Sequence, residues 1–283
     1  MKKLVAGCLF LALCAASCGQ GKGTKGPFTA LTQMVDSMKT PSDDTSVSPT
    51  EETDEPLEAD ELFDDFIFNY ASNPVLQKQR TSFPLPYDKD GKQTRIDKDA
   101  WKHDRLFTEE SVYTLLFDRE QDMDIVGDTS LTSVQVEWLF LHEARMRKYY
   151  FGRTRGMWML DSIVQQRLAM NAPDDFLAFY TRFVSDSIYQ SKHIHSPLHF
   201  ITLDPDDEFS ILETTLDREQ WYAFRPQMPA KWLTNICYGQ RNEARSRTKI
   251  LKVNGIGNGY SNVFYFRIRQ GEWELYKFED TSI

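Results

Sequence analysis

Cysteine is the scarcest chemistry in this sequence. Of its four cysteines, Cys8, Cys14 and Cys18 fall within the first eighteen residues, and Cys237 stands alone in the rest. One thiol forms no internal disulfide, so the fold depends on a packed core. Recognisable catalytic signatures are also missing: the chain contains no G-x-S-x-G and no H-E-x-x-H. Positive charge is in deficit, with 42 acidic against 33 basic residues. That balance argues against charge-driven binding of nucleic acid or anionic lipid. The longest apolar run, Leu4 to Ala16, is too short to span a bilayer as a mature helix. What the sequence does have is 41% apolar residues, enough for a real globular core.

The opening, MKKLVAGCLFLALCAASCGQ, has a basic start at Lys2 and Lys3, then the apolar run, then Ala15-Ala16-Ser17-Cys18. It resembles a bacterial lipobox, with Ala in place of the usual Leu three residues before the cysteine. The resemblance implies a signal peptide over residues 1–17 and lipid attachment at Cys18, which would anchor the chain stably to a membrane. Loss of the two lysines takes the formal charge from −9 to −11. An ordinary cleaved secretory signal fits the same residues, and both readings export the protein. Gly19-Gln20 carries no inner-membrane retention aspartate, and no acidic run follows the cysteine. The expected location is the cell envelope, at the periplasmic face of the outer membrane.

Residues 18–58 read as an acidic tether, because TPSDDTSVSPTEETDEPLE has too little apolar surface to offset its ordering entropy. About forty flexible residues give an end-to-end distance of roughly 35 Å. Phe28, Leu31, Val35 and Met38 share helical spacing within it, which fits a transient helix or a short docking helix.

The remainder states one pattern twice, predicting a first domain over 59–168 and a second over 169–283. Asp64-Asp65-Phe66 and Tyr70 match Asp174-Asp175-Phe176 and Tyr180. After a three-residue offset, Ser72 to Gln77 matches Ser185 to Gln190, and Pro84-Leu85 matches Pro197-Leu198. Trp101 falls opposite Trp221, and Tyr113 to Phe117 opposite Leu233 to Cys237. Each copy closes on an aromatic strand, a glycine turn and another strand, YYFGRTRGMWMLDSI and FYFRIRQGEWELYKF. The periodicities predict two helices, with Asn73 and Asp186 suited to cap the second, then a hairpin and a curved antiparallel sheet. The fold class is therefore α+β, a tandem duplication with helices packed on sheets.

The lipobox, the tether and the paired phrases DFI…YAS…LQ…R…FPLP and DFL…FVSDS…Q…SPL together resemble a family of Bacteroidetes lipoproteins, domain of unknown function 4348. The resemblance implies two cone-like domains similar to nuclear transport factor 2. It brings no activity, cofactor or assigned site residue. His193 and His195 depart from the arginine and aromatic that Arg80 and Phe83 supply in the first copy.

Several constellations carry chemical possibilities. His193, His195 and His199 would share one face of a regular strand and could ligate zinc or copper, or stand as surface histidines. Asp88, Asp90 and Gly91 sketch a calcium loop, but Pro86 and Asp97 occupy its first and twelfth places, and Asp90-Gly91 is a hairpin signal. Gly255, Gly257 and Gly259 precede a strand rather than the helix a phosphate cradle requires. Cys237 stands opposite Phe117, which favours a buried thiol. His142-Glu143 falls at a turn. Trp138, Trp158 and Trp273, with Arg153, would line a cone that holds an apolar or sugar-like ligand, or would simply fill the core.

No cofactor is implied. The expected function is a non-enzymatic envelope lipoprotein that meets the membrane through its lipid and binds an envelope protein or small ligand, with no nucleic acid partner. The alternative is an isomerase- or hydratase-type enzyme with its site inside one cone, a chemistry that leaves no linear motif.

Overall fold

Apolar residues at helical spacing open each half of the chain. The computed structural model describes residues 62–168, 170, 175–240 and 246–283, so the signal, Cys18, the tether and its apolar quartet lie outside the described residues. Helix α1 (Phe63–Ser72) buries Phe63, Phe66, Ile67 and Tyr70; helix α3 (Phe176–Ser185) buries Phe176, Phe179, Tyr180 and Phe183. Short helices α2 (Pro74–Gln79) and α4 (Ser187–Lys192) follow. Asn73 and Asp186 cap them as expected, each accepting two backbone N–H groups.

The halves superpose on one constant offset through these helices, which corrects the three-residue break in the sequence matching. Gln77 Nε2 donates to the Tyr70 carbonyl and Gln190 Nε2 to the Phe183 carbonyl, both at 3.1 Å. Tyr70 therefore corresponds to Phe183, not Tyr180, and Phe66 to Phe179. The repeated Asp-Asp-Phe had suggested the false alignment, but Asp64-Asp65 lies in the first turn of α1 whereas Asp174-Asp175 precedes α3.

The strands are β1 (Leu85–Lys89), β2 (Lys92–Ile96), β3 (Val112–Phe117), β4 (Ser133–Phe140), β5 (Arg145–Thr154) and β6 (Met157–Arg167). The second half supplies β7 (Ile194–Asp204), β8 (Asp207–Leu216), β9 (Trp232–Cys237), β10 (Thr248–Gly255), β11 (Ser261–Arg269) and β12 (Glu272–Asp280). A fifth helix, α5 (Arg218–Phe224), precedes β9. Asp90-Gly91, Arg155-Gly156 and Gln270-Gly271 all have positive φ, the primed turns that suit tight hairpins.

Two six-stranded sheets result, β2-β1-β6-β5-β4-β9 and β3-β10-β11-β12-β7-β8. Pairing is antiparallel except where each hairpin joins its sheet, β1 beside β6 and β7 beside β12. Those pairings join strands far apart in sequence, so local pattern does not reveal their direction. The halves also exchange a strand: β3 pairs with β10, and β9 pairs with β4. Where β3 and β9 meet, Thr114 N donates to Thr234 Oγ1 at 2.6 Å and Thr234 Oγ1 donates to the Thr114 carbonyl at 3.1 Å. Both threonines are fully buried. The described residues belong to one compact unit.

The duplication extends to side-chain packing. Phe63 meets Trp158 edge-on at 5.1 Å, and Phe176 meets Trp273 at 5.2 Å. Phe66–Phe151 and Phe179–Phe266 are both 5.8 Å apart. Such tilted pairs add to the area they bury. Each half also holds its buried glutamine to a tryptophan: Trp101 Nε1 donates to Gln77 Oε1 at 3.1 Å, and Trp221 Nε1 to Gln190 Oε1 at 3.2 Å.

Candidate functional site

The two sheets present equivalent rows to their cores. In the first sheet Tyr87, Ile163, Tyr149 and Val136 stand side by side. In the second, Phe200, Phe278, Phe264 and Leu251 occupy the same places. Residues paired across strands share a face, so these rows form the floors of the two cones.

The second floor is sealed by rings. Phe264 stacks on Phe278 at 4.9 Å, Phe278 on Phe200 at 5.5 Å, and Phe224 of α5 lies 6.3 Å from Phe200. The first floor is polar. Tyr149 donates its hydroxyl to Asp104 Oδ2 at 2.6 Å, and Arg147 Nη1 reaches the Tyr149 oxygen at 3.4 Å. Beside them Tyr87 donates to Gln165 Oε1 at 2.9 Å. Asp104 is held by the buried amide of Gln77, which donates to its carbonyl at 2.7 Å and accepts from its N–H at 2.8 Å. A pocket of about 270 Å³ opens here, lined by Tyr87, Ile96, Trp101, Asp104, Arg147 and Tyr149.

Burial, and next the charge of Asp104, push the Tyr149 phenol far above the ordinary tyrosine range, against the pull of Arg147. The phenol therefore stays protonated and acts as a donor. Burial works against the charge on Arg147, but Tyr149 and Asp104 outweigh it and hold its pKa raised. The result is a fixed chain of donors, guanidinium to phenol to carboxylate, under an apolar and aromatic wall. A site of this kind orients a ligand's polar end. A larger groove, about 620 Å³, runs past Val112, Met228, Trp232, Tyr260 and Ile283, but of acids and bases only the Lys231 and Tyr260 side chains line it.

The residues expected from sequence are scattered. Trp158 and Trp273 are buried, 1% and 3% exposed, and face no ligand space; the helix–sheet core consumes them. Arg153 lies over the Trp158 ring at 4.9 Å and donates to the Thr129 carbonyl at 2.8 Å, away from the pocket. Trp138 stays half-buried, stacked on Phe140.

The three histidines do not converge. His193 Nε2 is 3.8 Å from Glu272, His195 Nδ1 3.7 Å from Glu274, and His199 Nε2 3.4 Å from Glu213. Strand alternation fails here because His193 precedes β7, and the β7–β12 register shifts between Ile194 opposite Leu275 and His199 opposite Lys277. Among the described residues no cluster of three metal-ligating side chains occurs.

Asp88 and Asp90 belong to a hairpin, where Asp88 accepts from Gly91 N and Asp90 pairs with Arg145 at 2.9 Å. Burial, then Glu137, pushes the Cys237 thiol up, the wrong direction for a nucleophile. His142 and Glu143 lie in the β4–β5 turn. Gly259 packs against Ile283 and precedes strand β11, so no helix follows it to cradle a phosphate. A Ser-x-x-Lys spacing runs from Ser246 to Lys249, but Lys249 pairs with Asp118 and Ser246 with the Thr248 carbonyl.

Sequence reasoning missed Asp104, Arg147 and Tyr149. The signal lay in the two copies themselves, where RKYYF stands against NVFYF and Tyr149 against Phe264.

A family model described as a domain of unknown function (DUF4348) matches residues 42–280. No curated protein sequence matches the chain. The crystal structure of an NTF2-like protein from Bacteroides fragilis NCTC 9343 shares 57% identity, covering 81% of this chain and 100% of that one, with a TM-score of 0.76. With its paired helices, its two curved sheets and its doubled core, this chain belongs to the DUF4348 family and has an NTF2-like fold.

Proposed function

We propose that this protein is a lipid-anchored envelope protein that binds a small ligand in the mouth of its first cone. One observation carries the reading. Arg147, Tyr149 and Asp104 form a bonded chain where the equivalent places of the second cone hold Asn262, Phe264 and Phe224. A core position that needs only packing is satisfied by phenylalanine, as the second cone demonstrates. Keeping a phenol, a guanidinium and a carboxylate there costs desolvation, which a bound polar group offsets.

Binding fits better than turnover. The raised phenol is a donor, and Asp104 is already engaged as its acceptor. The further acids and bases lining this pocket are Lys102 and Tyr87, whose hydroxyl is given to Gln165. The membrane partner is reached through Cys18 and the tether, which together support a place at the periplasmic face of the outer membrane. The acidic balance of the chain disfavours nucleic acid as a partner.

Two experiments test this. Thermal unfolding of residues 60–283 against envelope metabolites and glycans should find a ligand that, at about a hundred times its dissociation constant, adds roughly 2.7 kcal/mol. Tyr149→Phe should abolish that shift; its survival would remove the pocket from the account. Metabolic labelling with an alkynyl fatty acid should tag the wild-type chain and not Cys18→Ser, and equal labelling would remove the anchor.

A further inference from the structure

We infer that the ligand is an acidic oligosaccharide, lying along a strip of aromatic and arginine side chains that continues out of the first mouth. The inference rests on the binding reading above and names its substrate class. Beyond the Val136–Tyr149 row, Trp138 pairs with Arg147, and Arg147 with Gln165. One row further, Phe140 pairs with Arg145, Arg145 with Arg167, and Phe140 also with Trp232. Cross-strand partners share a face, so the rings of β9 and β4 lie beside the guanidinium groups of β5 and β6 on one surface that reaches the pocket through Arg147.

The rings form a cluster. Trp138 and Phe140 are stacked with their planes 9° apart and centroids at 5.8 Å, and Trp232 meets Trp138 edge-on at 4.9 Å. All three are half-buried, so each keeps part of its ring accessible to solvent. Flat apolar faces suit pyranose rings, and arginine forks match carboxylates or sulfates. Glu137 does not oppose an anion here, because it points to the other side of the sheet, where it pairs with Lys148 at 2.6 Å. Asp104 accepts from Tyr149, and Asp90 pairs with Arg145, which leaves Arg147 and Arg167 as the guanidinium groups of the strip that meet the anion.

A peptide is the weaker fit. Strands β4 and β5 are interior to their sheet, so their backbone groups are consumed in the ladder and cannot receive another strand. Only side-chain faces remain to read a ligand. The second cone lacks the strip, with Val253, Gly255 and Val112 at the corresponding register positions.

The test uses the full chain and tetragalacturonic acid as probe, followed by tryptophan fluorescence. Trp101, Trp158, Trp221 and Trp273 are buried, which leaves Trp138 and Trp232 as the emitters that acrylamide reaches. Binding should protect them from quenching. Trp138→Ala should weaken the tetramer about tenfold, the loss expected for one stacked ring, and leave galacturonic acid monomer unchanged. Arg147→Gln should weaken both.

A neutral galactose tetramer should bind less tightly, and a sulfated tetramer separates sulfate from carboxylate recognition. Equal binding of neutral and acidic tetramers, or of a tetraglutamate peptide, would overturn the assignment. A tetramer that binds no better than the monomer, or not at all, would overturn the strip while leaving the pocket intact. Indifference of every ligand to Tyr149→Phe would instead sink the pocket.

Discussion

The two cones share a fold and differ at their mouths. Both use a buried glutamine to hold a tryptophan, and both pack a phenylalanine edge-on against a second tryptophan. Yet one floor carries Tyr149, Arg147 and Asp104, while the other is closed by Phe264, Phe278, Phe200 and Phe224. Matching positions face the same packing demand, so the difference between them isolates what packing does not require. Phenylalanine is the answer when stability alone decides. The polar chain in the first cone is what packing leaves unexplained and what the proposed binding role accounts for.

The largest effect should come from features the cones share. Trp158→Ala and Trp273→Ala should each cost about 3–5 kcal/mol, because each leaves a cavity in a close-packed core. Exchange of β3 and β9 joins the cones, so either variant should lower a single transition rather than split it into two, which differential scanning calorimetry would show.

Next comes the glutamine pair. Gln77→Ala and Gln190→Ala should each destabilise by about 1–3 kcal/mol, since each strands buried partners. Gln77→Ala alone should also abolish ligand binding, because Gln77 positions Asp104. Chemical denaturation with a parallel titration reads both effects, and equal loss of binding in the two variants would break the asymmetry.

Phe264→Tyr sharpens the comparison from the other side. Asn262 and Phe224 offer the new hydroxyl no counterpart of Arg147 and Asp104, so burial should cost about 1–3 kcal/mol without creating a second binding site.

The smallest effect is one of pH. Burial first raises the Asp64 carboxyl, against the hydrogen bond from Tyr238, and Leu177 fills the matching place in α3. A raised carboxyl means that the fold favours the neutral form, so its ionised state opposes folding at neutral pH. Asp64→Asn should therefore raise the melting temperature slightly at pH 7. That gain should fade as pH falls through the raised value toward 3.8, where both chains carry a neutral group. Melting curves across that range check the sign.

Much of this was legible in the sequence. Phe63, Phe66, Ile67 and Tyr70 announce a helix by spacing, Asn73 and Asp186 announce caps, and Asp90-Gly91 a hairpin. These are local signals, each decided within a few residues. The strand exchange was not legible, because β3 and β9 look the same whichever sheet receives them, and partners more than ninety residues away settle it. Trp158 and Trp273 misled for a related reason: alternation shows that a side chain faces inward, not whether the interior is empty. The histidines misled because a register irregularity in β7 defeats simple alternation. Tyr149 was in view, aligned with Phe264, but an added hydroxyl carries meaning only once Asp104 is seen 2.6 Å away.

The most direct measurement is thermal unfolding of the wild type, Tyr149→Phe and Phe224→Ala with one ligand library. The expected result is a ligand that stabilises the wild type and Phe224→Ala but not Tyr149→Phe, placing binding in the first mouth alone. A ligand whose stabilisation survives Tyr149→Phe and disappears in Phe224→Ala would contradict the account, because it would place the site in the cone that the phenylalanines close.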